Sequence, residues 1–381
     1  MTTEIVRGLD GVIVDKTVLS KVDGQQGFLS YRGYHIDEMA KCSFEEVCHL
    51  FLFGKLPTAP ELAALDARLK SHRPVHSKII DLIVQAPDSE QPMALLRTAV
   101  SMLSGYLPKV EDNSAEALLE NSICLIAQVA TVAAAIARVK RKQKPIEPDL
   151  TLSHAANYLY MSMGEKAEEV VSKTLDTALV LHIDHGFNAS TFTARVTVST
   201  LTDIVSGVVA AIGSLKGPLH GGANTAVMEM LLQIDSIDNV ENFVNQALQQ
   251  KQKIPGFGHR VYKTFDPRAK HLKAMSEAWG KRVGEVKWFA MSQKLEALML
   301  EKKKLNANVD FYSASTYYAM GIDPKLYTVI FAVARMVGWT AHIIEQLSDN
   351  KLVRPGAEYV GNEGLKWVAI ENRVIEEISG A

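Results

Sequence analysis

ICLIAQVATVAAAIARV, residues 123–139, is the most apolar stretch of the chain, and its reading decides what kind of fold to expect. It is rich in alanine, carries Gln128 and Thr131, and runs into Arg138 and Lys140. A membrane span needs about 20 strongly apolar residues. The segment therefore predicts a helix buried in the core of a soluble protein, with no membrane partner. Helical periods dominate on both sides of it. Ser43 precedes Phe44, with Glu45 and Glu46 in the first turn of a capped helix. Pro60 opens ELAALDARLK, and KPIEPD (144–149) reads as a loop. Further helices are predicted over roughly 150–163, 165–182, 190–200, 202–213, 221–235, 239–250, 267–279, 286–303, 312–320 and 325–347. Only the start has strand character. Val12, Ile13, Val14 and Val18 lead to the turn Asp23-Gly24, and then to Phe28-Leu29-Ser30-Tyr31. The expectation is an all-α, mainly helical fold with a small N-terminal β-hairpin.

With 381 residues, 47% hydrophobic and 22% charged, the chain can bury a large core and form two domains. A net charge of -2 argues against a general nucleic-acid binder, so an anion site has to come from local clusters of Arg and His. Cys42, Cys48 and Cys124 are odd in number and form no C-x-x-C pair. That argues against a disulfide framework or thiolate zinc site and for a reduced, cytoplasmic setting. The start, MTTEIVRGLDGVIVDK, has Glu4 and Asp10 and no long apolar run, so no secretory signal is expected. Gly207, Ala210, Ala211 and Gly213 at helical spacing fit either tight internal packing or a subunit interface.

Four segments place His, Arg and Gly where packing alone would not. In LHIDHGFNAS (181–190), His182 and His185 bracket Asp184, and Gly186 suggests a helix end. These are zinc-type ligands, but structural hydrogen bonding is the commoner fate of such histidines. In KGPLHGGAN (216–224), His220 sits in a glycine-flanked turn at a helix N-terminus, where a histidine stays neutral and can donate to an oxyanion. In IPGFGHRVYKTFDPR (254–268), Pro255, Gly256 and Gly258 shape a turn and His259 suits acid–base work. Arg260, Lys263 and Arg268 suit phosphate or carboxylate; a solvated basic loop is an equal reading. In NVDFYS (308–313), Asp310 between Val309 and Phe311 is either a base with a raised pKa or the N-cap of the next helix. Arg335, among Ile330, Phe331, Val333, Met336 and Val337, needs an anionic partner, either structural or from a substrate. Arg354, before Pro355-Gly356, is a further candidate on a loop.

Taken together, these segments resemble the citrate synthase family. GFGHRVYKTFDPR resembles the signature around its second catalytic histidine, GPLHGGAN the turn around the first, and NVDFYS the segment of the catalytic aspartate. RGLDGV, YRGYHIDE, LHIDHGFNASTFTARV, ARMVGW and VRPGAEYVG extend the likeness over nearly the whole chain. The resemblance implies a large domain (1–220 and 326–381) and a small mobile one (221–325) carrying the CoA loop and catalytic aspartate. It implies an acyltransferase of the Si-citrate type that condenses acetyl-CoA with oxaloacetate at the head of the tricarboxylic acid cycle, with no cofactor and no metal. By carry-over, Asp310 takes a proton from the acetyl methyl, His220 binds the thioester oxygen, and His259 protonates the oxaloacetate carbonyl. His185, Arg268 and Arg335 hold the carboxylates, with Arg354 lent by the other subunit of a homodimer that can assemble further. Ile254, Pro255, Gly256, Phe257 and Gly258, with Arg260 and Lys263, contact CoA. Gly186 stands where several relatives have Glu, and the long N-terminal extension of NADH-inhibited members is not seen.

Three alternatives stay open from the residues. A 2-methylcitrate synthase would use propionyl-CoA with the same groups, and one methylene carries only about 1–3 kcal/mol of discrimination. A non-catalytic assembly protein could keep the fold alone. A metal-dependent hydrolase could use His182 and His185.

Overall fold

A computed structural model describes residues 5–373. Among them are sixteen α-helices and one three-stranded antiparallel sheet, in line with the mainly helical expectation. The apolar segment lies in helix Ala115–Lys140 and is buried along almost its whole length. That helix and the one ending at Ser348 are long and apolar enough to cross a membrane, but most of each is buried against other helices. They are core helices packed on one another.

Local chemistry sets the helix starts. Ser43 and Glu46 exchange hydrogen bonds in a capping box ahead of helix Phe44–Phe53. Thr58 and Glu61 do the same for Ala59–His72, with Pro60 in the first turn. Asn188 caps Ala189–Val198, and Asp203 caps Ile204–Leu215. In that last helix a Cβ at Gly207 would lie 2.6 Å from Val198 Cγ1 and 3.0 Å from Ile343 Cδ1. The close approach there is internal packing.

The sheet departs from expectation in two ways. Strand β1 (Ser20–Asp23) starts after Val18, and a short β3 (Tyr34–His35) follows β2 (Phe28–Tyr31). Val12, Ile13, Val14 and Val18 stay exposed and join no strand among the described residues; the Val18 N–H is taken instead by the Glu345 carboxylate at 2.9 Å. The register places Ser20 opposite Tyr31.

Candidate active site

The turn between helices Glu169–His182 and Ala189–Val198 carries His185, which is buried. Its Nε2 lies 3.0 Å from the hydroxyl of Tyr262, and its ring centroid 5.1 Å from that of His259. Burial, with the nearby charge of Arg268, holds its pKa well below the ordinary value, so the ring is neutral.

His259 follows the turn Ile254–Gly258. Its Nδ1 accepts from the backbone N–H of Val261 (3.0 Å) and Tyr262 (3.2 Å). A ring nitrogen that accepts twice carries no proton, so Nε2 is the N–H and is free to donate. Burial first, then Arg268, pushes the pKa down to about 4.

His220 is fixed in the opposite tautomer. Its Nε2 accepts from the Ser190 backbone N–H at 3.3 Å and lies 2.8 Å from Ser190 Oγ. Trp339 Nε1 donates to the same Oγ at 3.1 Å; that hydroxyl lies 2.8 Å from both His220 Nε2 and Asn188 Oδ1 and has one proton to give to either, whereas the Ser190 backbone N–H can only donate to Nε2. The remaining proton of His220 is therefore on Nδ1. Burial, followed by Arg335, lowers this pKa to about 4.

Asp310 is not the helix cap. Asn308 holds that position, accepting from the Asp310 N–H at 3.0 Å, which puts Asp310 in the first turn of helix Val309–Ala319. Asn308 sits in extended backbone where its side chain can fold back on the helix. The Asp310 carboxyl then has no hydrogen-bond partner among the described residues. Burial raises its pKa to about 7, against the pull of Arg268 and Arg335.

The arginines divide into three situations. Arg268 is buried and grips Asp266 with two donors, Nε at 2.9 Å and Nη2 at 2.7 Å. Asp266 thus matches Arg268 alone, leaving Arg260 and Lys263 without a carboxylate in the segment, and it holds the Arg268 pKa above its usual value despite burial. Arg335, 1% exposed, donates Nε to the His182 carbonyl (2.8 Å) and stacks its guanidinium 4.8 Å from the Phe331 ring. Its Nη1 is buried with no partner among the described residues. Burial lowers its pKa to about 10, and its field reaches His185, His220 and Asp310 alike. Arg354, unlike the other two, is exposed, on the irregular segment after Ser348.

Gly256, at φ +82°, lets the Ile254–Gly258 turn press on Phe311 and Val227, where a Cβ would come within 2.7 Å of each. Phe257 packs 4.5 Å from the Phe311 ring, and Ile254 is buried. Arg260 and Lys263 are exposed at its rim. A cavity of about 250 Å³ opens beside it, lined by Gly258, His259, Lys263, Lys304 and Asn306 among others.

His182, Asp184 and His185 do not form the metal site considered above. His182 Nδ1 donates to the Ala178 carbonyl at 2.7 Å, and Asp184 is bonded to Ser20. The one trio of metal-type donors that converges among the described residues is His72, Glu120 and Cys124, where Glu120 already pairs with Arg68 and His72. Sequence reasoning assigned no role to Ser190, Tyr262, Trp339 or Asn308. Ser190 lies 30 residues from the histidine it orients, and nothing local marks that pairing.

The arrangement offers two neutral imidazoles with one N–H each, a carboxyl with a pKa near 7, and a buried guanidinium with one nitrogen that has no partner among the described residues. A family profile described as "Citrate synthase, C-terminal domain" matches residues 8–356. The chain is 48% identical to a citrate synthase of Haloferax volcanii over 98% of this chain and all of that one. It is 41% identical to a 2-methylcitrate synthase of Mycobacterium tuberculosis, covering 94% of this chain and 91% of the other. A solved ternary complex of carboxymethyl coenzyme A and oxaloacetate with citrate synthase from Thermoplasma acidophilum superposes with a TM-score of 0.93 at 33% identity, covering 98% and 100% of the two chains. With matches of this extent, the chain belongs to the citrate synthase family.

Proposed function

We propose that this cleft condenses acetyl-CoA with oxaloacetate and water to give citrate and CoA. The supporting observation is the set of protonation states: His220 with Nδ1–H, His259 with Nε2–H, and Asp310 near pKa 7. A thioester methyl is too weak an acid for a carboxylate alone. Asp310 removes the proton while the Nδ1–H of His220 stabilises the enolate oxygen, a donor typically worth about 3–4 kcal/mol. The enol carbon attacks the oxaloacetate ketone, whose oxygen takes the Nε2–H of His259. His185 and the arginines Arg335 and Arg268 hold the substrate carboxylates, and the unpaired Nη1 of Arg335 supports this role. Hydrolysis of the citryl thioester drives the reaction forward, so no cofactor is called for.

The Ile254–Gly258 turn with Arg260 and Lys263 is the CoA contact, and residues 221–325 act as the domain that closes on both substrates. The working unit is a homodimer in which Arg354 reaches the partner's site, and dimers can associate further. Its support is the apolar surface on the terminal segment: Val360 is 89% exposed, Leu365 79% and Trp367 82%. Such a surface is normally covered. Three free cysteines suit the cytoplasm.

Propionyl-CoA is the second reading for the acyl donor, because the 2-methylcitrate relative matches nearly as well. The test is free-thiol release with oxaloacetate and each acyl-CoA. Faster release with acetyl-CoA, abolished in Asp310→Ala, supports the proposal. Faster release with propionyl-CoA reassigns the substrate, and none with either overturns the enzyme reading in favour of an assembly protein.

A further inference from the structure

The N-terminal sheet meets the site in two places: the β1–β2 turn accepts the Lys263 N–H at the Gly24 carbonyl (2.8 Å), and two cross-strand partners grip the turn that carries His185. Ser20 on β1 and Tyr31 on β2 lie opposite each other in the register. Ser20 Oγ–H donates to Asp184 Oδ2 at 2.5 Å and accepts from the Gly186 N–H at 2.9 Å. The Tyr31 hydroxyl donates to the Asp184 carbonyl at 3.1 Å, and the Asp184 N–H points back at it across 3.4 Å. One strand thus holds the side chain and the other holds the backbone. On the far side, His342 Nε2 faces both Asp184 carboxylate oxygens at 3.2 and 3.3 Å. His342 accepts at Nδ1 from Arg195, which fixes Nε2 as its N–H. Arg195 in turn pairs with Glu345 and Asp15. Helix Tyr327–Ser348 approaches the turn closely enough that a Cβ at Gly338 would lie 2.3 Å from the Ile183 carbonyl. Asp184 and Tyr31 are fully buried.

We infer that Asp184, gripped by Ser20 and Tyr31, is a positioning residue for oxaloacetate: the hairpin is a clamp that sets the 183–186 turn and with it the imidazole of His185. The inference rests on the reading of His185 as an oxaloacetate contact. Neither Asp184 nor Ser20 touches the substrate. Each acts through the turn that carries His185, so the expected signature is on substrate affinity and not on the proton-transfer groups.

The experiment compares Ser20→Ala, Ser20→Thr, Asp184→Asn and His185→Ala as full-length protein, with Michaelis constants for both substrates and thermal unfolding. Ser20→Ala is expected to raise the KM for oxaloacetate by about tenfold, the effect of losing one hydrogen bond to a charged group. Its KM for acetyl-CoA should change by less than about twofold, and Asp184→Asn should exceed it on oxaloacetate. Ser20→Thr restores the hydroxyl and should restore the KM. An unchanged oxaloacetate KM in folded Ser20→Ala overturns the clamp, as does a loss that follows unfolding temperature and both substrates equally, without rescue by threonine. If His185→Ala leaves the oxaloacetate KM unchanged, the underlying site assignment fails instead.

Discussion

The side-chain amide of Asn308 donates to the carbonyl of Gly258 across 3.0 Å. The same residue caps the helix that carries Asp310, and its N–H donates to the Gly256 carbonyl at 3.0 Å. The turn assigned to CoA and the carboxyl assigned as base are therefore tied through one side chain. Asn308→Ala removes both the tie and the cap. The cap alone is worth about 1 kcal/mol. We expect kcat/KM for acetyl-CoA to fall by more than about tenfold, with the KM for oxaloacetate nearly unchanged. Steady-state kinetics with each substrate varied in turn checks this.

Asp310 has to be ionised to take a proton. With its pKa raised to about 7 by burial, kcat/KM for acetyl-CoA should drop with unit slope as pH falls through 7. The histidines titrate near 4 and should add no limb above that. The same shift has a cost in stability. A carboxyl raised in the folded state favours folding while protonated and opposes it once ionised. Asp310→Asn should raise Tm at pH 8 by about 2–4 °C and do less at pH 5. A pH–rate profile and calorimetry at both pH values test the pair of statements.

Buried neutral histidines make the fold acid-sensitive. His154 and His182 are lowered to about 3, His220 and His259 to about 4, and His185 well below its usual value, all chiefly by burial. In the unfolded chain each protonates near 6.5. Their contribution is whole above that value and is lost as pH falls toward 4 and then 3. Tm should decline steadily below pH 6.5, and His154→Phe should flatten the decline by about one proton in the linkage slope.

Arg335 holds a buried charge with one nitrogen that has no partner among the described residues. Arg335→Met should leave the empty protein as stable or more so, because an imperfectly paired ion is removed. Oxaloacetate should raise the Tm of the unaltered protein, and Arg335→Met should abolish that rise. Thermal shift with and without oxaloacetate reads both effects.

Much of this was legible in the residues because it is local. Ser43 with Glu46 announces a helix start, and the 3.6-residue period of the segments after 150 places the later helices within a few residues. His220, His259 and Asp310 stand in short motifs with glycines and prolines around them. Two kinds of feature were hidden. One is competition between neighbours: Asp310 and Asn308 are both good caps, and only the backbone at Asn308 decides between them. The other is long-range pairing, such as Ser190 with His220 or Ser20 with Asp184, where the partner is 30 or 164 residues away. Val12 to Val18 misled in the same way, since their apolar pattern promises a strand but no neighbour completes it.

The exposed position of Arg354 on the segment after the last long helix has a genetic consequence if it serves the neighbouring site. Two damaged copies of this chain, one with Arg354→Ala and the other with Asp310→Ala, would each be inactive alone. Mixed in one cell, half of the sites in a hybrid pair would draw the arginine from one allele and the aspartate from the other, and intragenic complementation would follow.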